Sequence, residues 1–207
     1  MYLNRYDESA ILTLYTGDYK KAFYLREISR LAHLPLKNTQ RLLFRLESSA
    51  ILKSEPEGRN KYFTLHLENI QTRYALLQAE IYKSSIFLER TAIFGMFARE
   101  IPSSMPVIIF GSFAKYSQKK NSDADLLVIS ENGPELPSHL LPNQMHLLTL
   151  TKKDFSNSLK RQEVIIQEIL ENHIILNDHS FFVNALWDYY GEKKMLKREK
   201  LVMHSYR

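Results

Sequence analysis

Apolar residues along the chain recur first at helical and then at strand spacing. Between Glu8 and Thr16, Ile11, Leu12, Leu14 and Tyr15 mark a short amphipathic helix that Gly17-Asp18 stops. Phe23-Tyr24-Leu25 reads as a brief extended stretch, and Arg26 to His33 returns to helix with Ile28 and Leu31 three apart. Leu34-Pro35 breaks that helix, because the residue before a proline is pushed out of the helical region. A further helix is predicted from Leu36 to Ser48, with Thr39, Leu43 and Leu46 on its packing face. Ile51-Leu52-Lys53 and Tyr62-Phe63-Thr64-Leu65 then flank Glu57-Gly58-Arg59-Asn60, the pattern of a hairpin around a glycine turn.

A long helical pattern runs from Gln71 towards Glu100, carrying Tyr74, Leu77, Ile81, Ile93, Phe94 and Phe97, with Gly95 its weakest point. Ile101-Pro102-Ser103-Ser104 ends it. Strand-length apolar runs follow at Val107 to Phe110, Leu126 to Ile129 and Met145 to Leu150. The chain is predicted helical from Asp154-Phe155 through Leu170, extended over His173-Ile174-Ile175-Leu176 and helical again from Phe181 to Tyr190. The charge-dense stretch from Glu192 to Lys200 is expected to fray. Fold class is therefore α+β, with an N-terminal unit at 1–68, a helical connector at 69–104, a second unit at 105–190 and a basic tail at 191–207.

Composition narrows the field without deciding it. At 207 residues, 44% hydrophobic and 12% aromatic, both halves can bury a core, which excludes a disordered chain. The net charge of +5 permits a polyanionic partner without demanding one. With no cysteine, disulfides and thiolate metal sites are excluded, and the seven histidines show no zinc spacing. The start of the chain has no signal pattern, and no apolar stretch reaches the roughly 18 residues of a membrane span. A cytoplasmic location with no membrane partner is expected.

The sharpest chemical pattern is Val107-Ile108-Ile109-Phe110-Gly111-Ser112, a strand running into a turn, followed by Ser122-Asp123-Ala124-Asp125-Leu126. Glycine at a strand end lets backbone approach a phosphate closely, and the N–H groups opening the next helix can face the anion. Asp123 and Asp125, two apart in a strand, put both carboxylates on one side. Such a pair repels itself until a hard cation such as Mg2+ relieves it, an ion that also holds nucleotide phosphates.

Gly-Ser, about ten residues, then Asp-x-Asp between apolar strands resembles the minimal nucleotidyltransferases of the polymerase-beta type, over roughly Pro106 to Ser180. The resemblance implies a mixed sheet flanked by helices, ATP or another NTP as ligand, and Mg2+ or Mn2+ as cofactor. It casts Gly111, Ser112 and Lys115 as nucleotide-binding residues and Asp123 and Asp125 as catalytic and metal-binding ones. Two departures stand out. Tyr116 occupies a position that is usually glycine, and no Asp or Glu occurs between Leu136 and Lys153, where a third carboxylate is expected. His146 aligns there instead; it is a third candidate metal ligand, although Mg2+ prefers oxygen. Asp154, just past that strand, is expected to cap the next helix.

In the N-terminal unit, the order helix, strand, helix, turn, helix, hairpin resembles winged helix-turn-helix transcription regulators. The resemblance makes Leu36–Ser48 a recognition helix and the hairpin a wing. Lys37, Asn38, Gln40, Arg41 and Arg45 lie off the packing face and are side chains of the types that read bases or phosphates. Arg59 and Lys61 at the hairpin tip suit the sugar-phosphate backbone of double-stranded DNA. Such regulators usually dimerise, and the apolar connector helix is the expected homodimer contact. Two functions remain open on these residues. One is a DNA-binding regulator whose nucleotidyltransferase-fold domain senses a nucleotide or has lost its chemistry. The other is a working transferase that places a nucleotidyl group on a protein or small-molecule acceptor.

Overall fold

The computed structural model describes residues 5–133, 135–141 and 144–205. Two sheets organise the chain. The first gathers β1 (Phe23–Tyr24), β2 (Leu52–Glu57) and β3 (Asn60–Leu65) in the antiparallel order β1-β3-β2. Around it lie α1 (Arg5–Leu12), α2 (Leu25–Leu31) and α3 (Leu36–Ser48), in the element order expected from the sequence. α3 is amphipathic, with Thr39, Leu42, Leu43 and Leu46 buried. Gly58, at φ +58°, makes the two-residue turn between β2 and β3, a conformation that costs glycine nothing.

The second sheet is mixed, in the order β6-β5-β4-β7, from β4 (Val107–Phe110), β5 (Ala124–Ile129), β6 (Met145–Leu150) and β7 (Ile174–Asn177). Only β5 and β6 run parallel. The inner strands β4 and β5 are covered on both faces and read as near-unbroken apolar runs, whereas the edge strand β6 stays half open to solvent. Val107, Ile109, Leu126, Val128 and Ile174 pack with Phe87, Phe94, Phe97 and Ile101, from α4 (Ile70–Arg90), α5 (Ala92–Glu100) and the residue after α5. Ile108, Phe110, Leu127 and Ile175 face the other way, onto α7 (Lys152–Arg161), α8 (Val164–Glu171) and α9 (His179–Ser205). A one-turn helix, α6 (Gly111–Ala114), links β4 to the loop before β5.

Four details differ from the sequence-based expectation. The long connector breaks at Thr91 (φ −135°, ψ 64°), not at Gly95, and the Thr91 hydroxyl donates to the Phe87 carbonyl to close the end of α4. The helix expected through Leu170 is two helices, parted where Gln162 takes a left-handed φ of 56°. Thr151, not Asp154, caps α7: its Oγ1 accepts from the Asp154 N–H at 3.0 Å and donates to that carboxylate at 2.7 Å. The backbone of the tail continues as helix to Ser205.

The N- and C-terminal parts share one core. Leu42, Leu46 and Leu76 belong to the same buried cluster as Ile108, Leu127 and Phe182. Gly17 passes so close to the end of α8 that a Cβ there would meet the Leu170 carbonyl at 2.8 Å. Tyr19 and Tyr190 stack at 5.0 Å, and the Tyr190 hydroxyl donates to Asp18 at 2.9 Å. Beneath them lies a buried ionic group: Glu80 contacts His173 Nε2 at 2.7 Å and Lys83 Nζ at 2.7 Å, and Lys83 reaches Thr16 at 3.1 Å. Burial alone would push the Glu80 carboxyl up, but the charges of His173 and Lys83 pull it down to about 2.

Candidate functional site

The acidic edge of the second sheet is built by strand register. Phe110 pairs with Asp125 across the β4–β5 ladder, so the turn that follows β4 lies beside the start of β5. Gly111 there has φ +65°, and a Cβ on it would lie 2.1 Å from Asp125 Oδ2. The carboxylate therefore rests against the glycine backbone, and no other residue fits. Ala124 is buried between Asp123 and Asp125, and both acids stay partly open on the same side of the strand. Ser112 is half-buried in the turn, and its carbonyl accepts from the Ser117 N–H at 3.0 Å, holding the loop back against α6.

His146 closes this edge from β6, where it is the parallel-register partner of Asp125. Its Nδ1 lies 3.4 Å from Asp125 Oδ1 and its Nε2 3.6 Å from Asp123 Oδ2. Each ring nitrogen faces a different carboxylate, so the imidazole spans the pair and cannot turn both nitrogens to one ion. Among the described residues no group of three or more His, Asp or Glu side chains is arranged to hold a metal. The two carboxylates alone still suit an ion that arrives on a nucleotide, since Mg2+ is commonly held by one or two carboxylates plus substrate phosphates.

Lys115 is ion-paired with Glu168 of α8 at 2.9 Å. Both side chains are about half exposed, and pairs of that kind are weak enough to exchange for a phosphate. Tyr116 has φ 52°, a left-handed conformation that explains why glycine would be favoured there; its ring packs on Phe87 at 6.1 Å and lies under Arg90 at 5.4 Å.

The basic face of the N-terminal unit divides in two. Lys37, Gln40 and Arg41 are exposed along the outer side of α3, opposite the buried Thr39, Leu42, Leu43 and Leu46. Asn38 and Arg45 point to the flank and are engaged with α1: Asn38 donates to Asp7 at 3.0 Å, and Arg45 pairs with Glu8 at 2.8 Å. Asn38 in turn receives Arg41 at 2.7 Å. Arg59 is exposed at the hairpin tip, whereas Lys61 pairs with Glu47 at 2.9 Å. Ser54 and Lys61 both donate to Glu47 and lower its carboxyl pKa. Sequence reasoning did not single out Phe44 and Arg26, which line the same groove between α3 and the hairpin. Helical spacing carried the signal for Phe44, which sits one turn from Gln40 and away from the packing face.

The glycine turn after β4 and the two acids at the start of β5 thus lie side by side at one edge of the mixed sheet. Residues 96–181 match the family model described as "Polymerase beta, Nucleotidyltransferase". No curated protein matches the chain. Among solved structures, an archaeal chromatin protein, TrmBL2, described as showing "a novel mode of DNA binding", aligns at 15% identity over 92% of this chain and 93% of its own, with a TM-score of 0.26. At that TM-score the likeness carries neither fold nor function. Among the described residues, no helix is long and apolar enough to cross a membrane.

Proposed function

We propose that this chain is a DNA-binding transcription regulator whose nucleotidyltransferase-type domain binds an NTP without transferring it. Residues 1–68 are a winged helix-turn-helix, with α2 and α3 as its helix pair and β2–β3 as its wing. Residues 69–104 form the connector, 105–190 the nucleotide-binding domain, and 191–207 a basic tail. Lys37, Gln40 and Arg41 face the duplex, and Arg59 meets its backbone at the wing. Asn38 and Arg45 set the angle of α3 through α1, and Lys61 steadies the wing through Glu47.

The observation that carries the nucleotide half is the contact of Asp125 with Gly111. It puts a close-approach backbone and two carboxylates at one edge, where the turn at Gly111-Ser112 takes phosphate oxygens and Lys115 exchanges Glu168 for them. Asp123 and Asp125 would hold the Mg2+ that accompanies the triphosphate, and the ion would neutralise phosphate charge there. A transferase must also activate its acceptor, and His146 stands where the acid for that would be. This favours binding over transfer.

Incubation with labelled ATP and Mg2+ or Mn2+ tests the reading. The expected result is saturable ATP binding that weakens in Asp123→Ala/Asp125→Ala, with no label left on protein or small molecule. Label that appears on an acceptor and vanishes in the double variant would establish the chain as a working transferase.

A further inference from the structure

Past its first residue, Leu36, the exposed residues of α3 are polar except at one position. Lys37, Gln40, Arg41 and Ser48 share the outer side with Phe44, whose ring is 70% exposed while its neighbour Leu43 is 2% exposed. Packing therefore does not explain the phenyl group. Beside it, between α3 and the hairpin, lies a cavity of about 370 Å³ lined by Tyr24, Arg26, Gln40, Phe44 and Arg59. The acid in that lining, Glu47, is engaged by Ser54 and Lys61. Arg26 and Arg59 make no ion pair among the described residues, so the groove presents cations around an aromatic centre.

Cations at the rim call for a polyanion, and an apolar group between them calls for an apolar feature on it. In the major groove of B-DNA, the C5-methyl group of thymine is the only such feature among the base edges. We propose that Phe44 is a specificity-determining residue that packs on a thymine methyl group at the centre of the recognised site. The proposal rests on the reading of α3 as the DNA-facing helix. Gln40 and Arg41, one turn away on the same side, then contact the bases or phosphates that flank that thymine.

Exchange of thymine for deoxyuracil removes the methyl group and leaves the Watson–Crick pairing unchanged. Duplexes enriched by the full chain from a random-sequence pool serve as probes, each prepared with thymine and with deoxyuracil, against wild type and Phe44→Ala. Because Phe44 is exposed, the variant should keep the wild-type melting temperature. Wild type is expected to bind the deoxyuracil duplex about fourfold more weakly, the loss of one buried methyl contact. Phe44→Ala should bind both duplexes alike. Wild-type indifference to the exchange, or an equal loss in Phe44→Ala, would overturn the role of Phe44 while leaving DNA binding standing. A change in oligomeric state in Phe44→Ala, with an unchanged deoxyuracil response, would overturn it in favour of a protein contact. If no duplex is enriched at all, the DNA reading itself falls, and this inference with it.

Discussion

At residue 111 the backbone φ of +65° and the 2.1 Å approach to Asp125 both require glycine. Gly111→Ala should displace the Asp125 carboxylate, cost about 1–3 kcal/mol of stability and weaken ATP binding by more than tenfold. Thermal melts and calorimetric titration read the two effects, and unimpaired ATP binding would count against the turn as the phosphate cradle. His146 gives the converse test. His146→Asp returns a third carboxylate beside Asp123 and Asp125, which should raise Mg2+ or Mn2+ affinity about tenfold without nucleotide, as ligand charge count dictates. Mn2+ paramagnetic resonance reports this independently of any activity. Much of this edge was legible in the sequence, because Gly-Ser and Asp-x-Asp are local patterns whose geometry strand period fixes. The partners of Lys115, Asn38 and Arg45 were not legible: Glu168, Asp7 and Glu8 lie far along the chain, and only the packing of separate helices brings them near.

Among the elements, α3, β4 and β6 begin and end where hydrophobic spacing puts them; α3 and β4 have a buried stripe with sharp ends, while β6 is a half-open edge strand whose bounds follow its apolar run. The breaks were harder. A glycine at 95 suggested an interruption that Thr91 makes, because the Thr91 N–H and hydroxyl both donate to the Phe87 carbonyl in the last turn of α4 while Gly95 stays inside α5. Nothing local in Gln162 announced its left-handed cap. At this scale α4 also presents Ile70, Tyr74 and Ile81 to solvent, each 45–48% exposed, and we propose this side of the connector as the contact between two copies. Ile81→Glu should convert a dimer to a monomer in light scattering and leave the fold intact; an unchanged mass would remove α4 from the interface. On α3 and the wing, Arg41→Ala with Arg59→Ala should lower the slope of log affinity against log salt by about two, one for each lost phosphate contact. A slope that stays as in wild type would contradict their placement.

Across the whole molecule, the shared core and the buried Glu80–His173–Lys83 group join the two parts that the sequence presents as separate domains. No pattern in the chain announced that union, since it depends on Gly17, Tyr19 and Thr16 meeting residues some 65 to 170 positions away. A carboxyl held at about 2, against its ordinary 4.5, contributes stability that is fully present above 4.5 and is lost as pH falls towards 2. His179, lowered by burial, adds a loss that begins below its ordinary 6.5. Denaturant melts across this range should show the acid-side decline. Glu80→Gln should flatten it between 4.5 and 2 and cost about 3–5 kcal/mol at neutral pH, because it leaves buried cations unpaired.

The shared core gives a physical route by which a nucleotide bound at Gly111-Ser112 would alter how α3 meets DNA, provided it favours one arrangement of that core over another. The direct measurement is the affinity of the full chain for an enriched duplex, by fluorescence anisotropy at fixed salt, with and without saturating ATP and Mg2+. The expected result is a shift of about fivefold or more, the usual scale of coupling between two sites, and its disappearance in Gly111→Ala. Equal affinities with and without bound ATP would contradict a nucleotide-responsive regulator.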